Sequence, residues 1–166
     1  MLEQEVKLRF ASLEAARQAV HTAGGRLVRS RRLQLDRFLD TPDLRLSTGR
    51  LALRLRREPD RTTLTYKGVP QAGPVKSREE IETTVADADI AEELLGRLGF
   101  TERWRFEKHR EDYVLGDARV FVDDTAAGVF VEIEGTPESI ERTAARLGKT
   151  PSDYILSSYR SLVVRP

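Results

Sequence analysis

Residues 2–10 alternate without a break. Leu2, Gln4, Val6, Leu8 and Phe10 fall on one side, and Glu3, Glu5, Lys7 and Arg9 on the other. A period of two sends successive side chains to opposite faces of a strand, so the pattern predicts a strand with one charged face. The habit returns at 50–57, where Leu51, Leu53 and Leu55 oppose Ala52, Arg54 and Arg56. At 62–67, Leu64 and Tyr66 oppose Thr63, Thr65 and Lys67. Val129, Val131 and Ile133 oppose Phe130, Glu132 and Glu134, while 78–85 alternates less cleanly. Residues 103–115 and 118–124 read as a hairpin turned at Gly116-Asp117. A strand pair is predicted within 27–39.

Elsewhere the period lengthens. Ser12 is a candidate N-cap for a helix over 12–23, with Leu13, Ala16, Ala19 and Val20 at helical spacing and Gly24-Gly25 as its stop. Helices are also predicted at 88–98, ended by Gly99, at 138–147, ended by Gly148, and at 152–163. Asp40-Thr41-Pro42-Asp43 is a turn, because proline disfavours a helical Thr41, and 68–74 is a loop. About eight strands with a few helices, and no repeat or linker, predict an α+β fold with one domain over 1–166.

Composition narrows the function classes. Charged residues make up 33% of the 166-residue chain, yet the net charge is only +1. That balance argues against a general nucleic-acid or membrane-surface binder, which needs a basic excess. The chain has no cysteine, so disulfides and thiolate chemistry are excluded. No apolar signal core opens the sequence and no stretch reaches the ~18 apolar residues of a membrane helix. A cytoplasmic location, with no nucleic-acid or membrane partner, is the expectation.

The charged strand faces admit two arrangements. They could point to water over a sandwich core. Alternatively, the sheet closes with the charges inside and the amphipathic helices cover its apolar exterior. Arginine and glutamate in like-signed doublets favour the second: Glu3/Glu5 and Glu132/Glu134 are acidic, Arg54/Arg56 basic. Enclosed like charges repel unless an opposite charge is shared between them. Oxygen ligands without cysteine or histidine suit Mg²⁺ or Mn²⁺. The basic group of Arg54, Arg56, Lys7 and Lys67 suits a phosphate-rich anion.

With these residues in place, the chain resembles the CYTH superfamily, the triphosphate tunnel metalloenzymes. Glu3-Gln4-Glu5-Val6-Lys7 matches its ExExK signature, Leu53-Arg54-Leu55-Arg56 its paired-arginine strand, and Leu64-Thr65-Tyr66-Lys67-Gly68 its lysine strand. Arg78-Glu79-Glu80-Ile81-Glu82 resembles its RxExE segment and Lys108-His109-Arg110 its KxR strand. Asp123, Glu132-Ile133-Glu134 and Ser158-Tyr159 follow in family order. Phe38-Leu39-Asp40-Thr41-Pro42-Asp43 departs from the usual YFDTPD.

The resemblance implies a closed eight-stranded antiparallel β-barrel tunnel with a charged interior and helices outside. It implies that Lys7, Arg54, Arg56, Lys67, Lys108 and Arg110 hold a triphosphate. Glu3, Glu5, Asp123, Glu132 and Glu134 would hold Mg²⁺ or Mn²⁺, with Glu5, Lys7, Glu82 and Asp123 at the reacting end. The implied activity is a metal-dependent triphosphatase acting on inorganic tripolyphosphate, thiamine triphosphate or a nucleoside triphosphate. A class IV adenylyl cyclase is the alternative, and the protein would act as a monomer or homodimer. Arg9 and Arg78 are expected as ion-pair partners and Glu80 as the partner of Arg78. His109 should face outward, and Trp104 and Phe106 either pack or form a stacking platform.

Overall fold

The computed structural model describes residues 1–163. Its elements in chain order are β1 (Leu2–Phe10), α1 (Leu13–Thr22), β2 (Arg26–Asp40), α2 (Arg45–Thr48), β3 (Ala52–Arg57), β4 (Thr62–Lys67) and β5 (Lys76–Val85). There follow α3 (Ala88–Arg97), β6 (Thr101–Leu115), β7 (Ala118–Thr125), β8 (Gly128–Glu134), α4 (Pro137–Arg146), a 3₁₀ turn (Pro151–Asp153) and α5 (Tyr159–Val163). The strands form a closed barrel in the order β1-β5-β4-β3-β2-β6-β7-β8. The expected eight-stranded closed architecture is therefore present.

Two expectations change. The segment 27–39 is one long strand rather than a pair, since it contains no glycine, proline or asparagine to turn it. Residues 152–163 do not form one helix. Tyr154 is extended, with φ −71° and ψ 126°, and Ile155 bridges to β1 through Lys7 N–H to Ile155 C=O (3.2 Å) and Ile155 N–H to Lys7 C=O (2.9 Å). Those bonds to a strand replace the bonds a continuous helix would make.

Two compact units divide the chain. The first comprises Met1–Leu2, Leu33–Gln71 and Arg78–Glu107. In it β2, β3, β4 and β5 pair antiparallel in sequence. Three ion pairs tie α3 to β2 and β3: Arg37–Glu92 at 2.6 Å, Arg57–Asp89 at 2.7 Å and Arg57–Glu92 at 2.8 Å. Asp87 caps that helix by accepting from Asp89 and Ile90 N–H.

The second unit contains Glu3–Arg32, Ala72–Ser77 and the chain from Lys108. Here β6 pairs with β7, β7 with β8, and β8 with β1, all antiparallel. Helices α1 and α4 contact β7 and β8. Ala16 and Val20 of α1 and Ile140 and Ala144 of α4 join Val6, Leu8, Val120, Val122, Val131 and Ile133 in one buried cluster. Burying each of these larger aliphatic side chains contributes roughly 1.5–3 kcal/mol. This is the apolar side of the strands; the charged side of the same strands carries the candidate site.

Candidate active site

Burial separates the two arrangements left open by the alternation. Lys7 is 1% exposed, Asp123 0%, Lys108 4%, Arg110 5% and Glu132 5%, while Val6 and Leu8 on the reverse face are at 0%. Both faces of these strands are covered, so the charged faces are not solvent faces. Ionised groups at this depth must be paired or hydrogen-bonded, and the pairing falls into one cluster in each unit.

In the second unit the charges form an alternating chain across β1, β8, β7 and β6. Lys7 Nζ donates to Glu5 Oε1 at 2.7 Å and lies 3.2 Å from Glu132 Oε2. Arg110 donates to Glu132 Oε1 at 2.9 Å and takes Asp123 with two parallel bonds, 2.7 Å from Nε and 2.6 Å from Nη2. Lys108 Nζ and the Tyr159 hydroxyl both donate to Asp123 Oδ2, at 2.7 and 2.6 Å. Lys76 pairs with Glu5. Register explains the convergence, since Lys7 faces Glu132, Arg110 faces Asp123 and Glu5 faces Glu134 in adjacent strands.

The electrostatics follow from these pairs. Burial alone would pull the Lys7 ammonium down, but Glu132 and Glu5 hold it above the ordinary lysine value. Burial pushes Asp123 and Glu132 up; Arg110 and Lys108 more than reverse this for Asp123, and Lys7 and Arg110 for Glu132. These groups are therefore ionised and held in place before any ligand arrives. Tyr159 is held well above the usual phenol value by burial and the nearby Asp123 and Glu132 charges, so its hydroxyl stays a donor.

Glu134 behaves oppositely. Burial, then the charges of Glu3 and Glu132, push its carboxyl up to about 8. Ligand oxygens of Glu3, Glu5 and Glu134 lie within 4.8 Å of one another. Such a set of three carboxylates, made of oxygen donors alone, fits a hard divalent cation.

In the first unit the charged face is built in rows across four strands. Phe38, Arg54, Thr65 and Glu82 are successive register partners, and Asp36, Arg56, Thr63 and Thr84 form the next row. Asp36 accepts both bonds of a guanidinium fork from Arg56, at 2.6 and 2.7 Å. Arg54 Nη2 donates to Thr65 Oγ1 at 3.1 Å and to Glu82 at 3.3 Å, while its buried Nε has no hydrogen-bond partner among the described residues. Lys67 pairs with Glu80.

The expected site residues are thus distributed unevenly. Glu3, Glu5 and Glu134 come together as expected of metal ligands. Asp123 and Glu132 lie outside that triad: Asp123 accepts from Arg110, Lys108 and Tyr159, and Glu132 bridges Lys7 and Arg110. Glu82, expected at the reacting end, is an exposed carboxylate that steers Arg54. Arg78 donates to the carbonyls of Gly68 and Arg50, and Arg9 to the carbonyl of Ala127 at 3.0 Å. Arg105 pairs with Glu102 and Arg103 bonds the Thr41 carbonyl, both away from the charged rows.

Asp36 and Lys76 were not foreseen. Asp36 alternates with Gln34 and Phe38, a signal obscured by reading its strand as a pair. Lys76 stands at the junction of loop and strand, where no period of two has yet been established.

Eight antiparallel strands in closed order, bearing buried and mutually paired ionic side chains, define a barrel with a polar-lined face. The chain belongs to the CYTH domain family, whose profile matches residues 1–153. A "Putative adenylate cyclase" from Methanocaldococcus jannaschii is 29% identical over 135 residues, covering 81% of this chain and 77% of that protein. A solved "putative adenylate cyclase" from Vibrio parahaemolyticus has a TM-score of 0.86 at 22% identity, over 99% of each chain. A "Putative adenylyl cyclase" from Hippeastrum, described as having a dominant triphosphatase activity, has a TM-score of 0.71 at 22% identity. That match covers 95% of this chain and 90% of that one.

Proposed function

We propose that the protein is a divalent-metal-dependent phosphohydrolase that removes the terminal phosphate of a triphosphate compound. The observation that carries this reading is the set of buried cations Lys7, Lys108 and Arg110 beside the Glu3–Glu5–Glu134 triad. A polyanion can exchange for the carboxylates that hold these cations, gaining charge-assisted bonds without ordering the side chains anew. The first unit's own charged face carries Arg56 held by Asp36 and Arg54 bonded to Glu82, guanidinium groups of the kind that bind phosphate oxygens. Asp123 fixes Arg110 and Lys108, and Tyr159 in turn fixes Asp123. Glu3, Glu5 and Glu134 would hold Mg²⁺ or Mn²⁺, which supplies neutralisation of phosphate charge when bound. The remaining barrier is lowered by positioning and by charge complementarity, the main demands of phosphoryl transfer. The activity described for the Hippeastrum protein agrees with this reading.

A second reading, conversion of ATP to cyclic AMP, is favoured by the name of the Methanocaldococcus relative. The experiment is incubation with Mg²⁺ or Mn²⁺ and, separately, tripolyphosphate, thiamine triphosphate and ATP. Orthophosphate release is the expected product. Pyrophosphate with cyclic AMP would transfer the assignment to the cyclase, and no product with any of the three would remove both.

A further inference from the structure

The charged face of the first unit carries one feature that phosphate binding does not use. Phe38 is the direct register partner of Arg54, so it stands on the same sheet face as the arginine row. Trp104 of β6 meets it with ring centroids 5.0 Å apart and planes inclined by 36°. Phe106, two residues further along β6, stacks nearly parallel to Trp104, at 5.5 Å and 17°. Phe106 is buried, whereas Trp104 and Phe38 are half-buried and retain reachable surface. Apolar side chains of these strands otherwise belong to the reverse face, with Leu53 and Leu55 on β3 opposite Tyr66 and Leu64 on β4. Unlike Phe121 and Phe130, which are buried on the ionic face of the second unit, Trp104 and Phe38 keep part of their rings reachable. Phe38 adjoins Arg54, a guanidinium whose buried Nε lacks a partner among the described residues.

We infer that Trp104 and Phe38 form a stacking platform for a flat heteroaromatic ring carried by the substrate, with Arg54 taking the phosphate next to that ring. This deepens the triphosphate reading and rests on it. It selects ring-bearing organic triphosphates over inorganic tripolyphosphate. Aromatic planes accept a π-face in offset or tilted geometry, and a rigid indole loses little entropy on binding. Cross-strand neighbours lie only about 5 Å apart at Cβ, so one ligand can span the ring of Phe38 and the guanidinium of Arg54. Trp104 acts here as a specificity residue and takes no part in bond breaking.

The chain's single tryptophan makes the test direct. Indole fluorescence is followed while the Mg²⁺-supplemented protein is titrated with ATP, thiamine triphosphate or tripolyphosphate, with binding measured in parallel by calorimetry. Saturable quenching by ATP or thiamine triphosphate, but not by bound tripolyphosphate, is expected; whichever organic ligand quenches identifies the ring preferred. In turnover, Trp104→Leu should raise the ratio of KM for the organic substrate to KM for tripolyphosphate on the order of tenfold, and Trp104→Phe should restore it. Organic ligands that bind without quenching, or a Trp104→Leu variant with an unchanged KM ratio, overturn the platform. Quenching on binding with no turnover of any triphosphate would uphold the platform and defeat the hydrolase reading instead.

Discussion

Glu134 and Glu132 sit on one strand face two residues apart, yet their carboxyls are driven in opposite directions. Glu132 faces Lys7 and Arg110; Glu134 faces Glu5 across β1 and lies near Glu3. In metal-chelated protein the Glu134 carboxyl titrates at about 8 when folded, against an ordinary value of 4.5. Between those values the folded state holds a proton that the unfolded chain lacks. Its stabilising contribution is complete below pH 4.5 and is lost as pH rises through about 8. Urea midpoints measured with chelator should therefore fall between pH 5 and pH 9, and Glu134→Gln should flatten that slope; equal slopes in the two proteins would count against the assignment. Glu5→Gln and Glu134→Gln should each abolish metal-dependent turnover while leaving the circular dichroism spectrum intact. Arg54→Ala should mainly raise KM, read from steady-state kinetics. At this scale the sequence was most informative about residue type and face, because a period of two assigns faces unambiguously. It could not say which carboxylate meets a cation and which meets another carboxylate. The motif groups Asp123 with the metal ligands, and the acidic doublet groups Glu132 with them, whereas the register sets Asp123 against Arg110 and Glu132 against Lys7.

Element boundaries were legible wherever capping or turn chemistry marked them. Ser12 accepts from Ala15 N–H at 3.1 Å and Thr136 from Ser139 N–H at 3.2 Å, each beginning a helix that the spacing had predicted. The turn after β2 was visible through Asp40 and Pro42, but α2 was not, being a single turn without an apolar stripe. Asp40 makes it: its carboxylate accepts from Thr41, Leu46 and Ser47 N–H at 2.8, 2.9 and 2.9 Å and from the Ser47 hydroxyl at 2.6 Å. Burial opposes ionisation, but these bonds bring its pKa down to about 2. The resulting stability is present above the unfolded value of 3.8 and lost as pH falls through about 2. Asp40→Asn should cost about 1–3 kcal/mol at neutral pH by chemical denaturation. The tight turn between β7 and β8 is equally exacting. Gly128 has φ +116°, a backbone conformation that residues bearing a Cβ rarely adopt. Gly128→Ala should therefore destabilise by roughly 1–3 kcal/mol, checked by the same measurement.

For the whole molecule, the number of strands and the antiparallel, closed class were legible, the class through the ordered motifs rather than through periodicity. The strand order was not, because partners distant in sequence leave no local trace. That order has a consequence for synthesis on the ribosome. β1 is translated first, while β8, which hydrogen-bonds to it from Phe10 back to Glu5, is among the last strands made. At about 5–20 residues per second, β1 waits on the order of ten seconds for that neighbour. During the wait Val6 and Leu8, fully buried at the end, are exposed on a nascent strand. Glu3, Glu5, Lys7 and Arg9 alternate with them and act as gatekeepers against premature aggregation. The same alternation that gives β1 its charged face thus interrupts its apolar run until the last strand arrives to cover it.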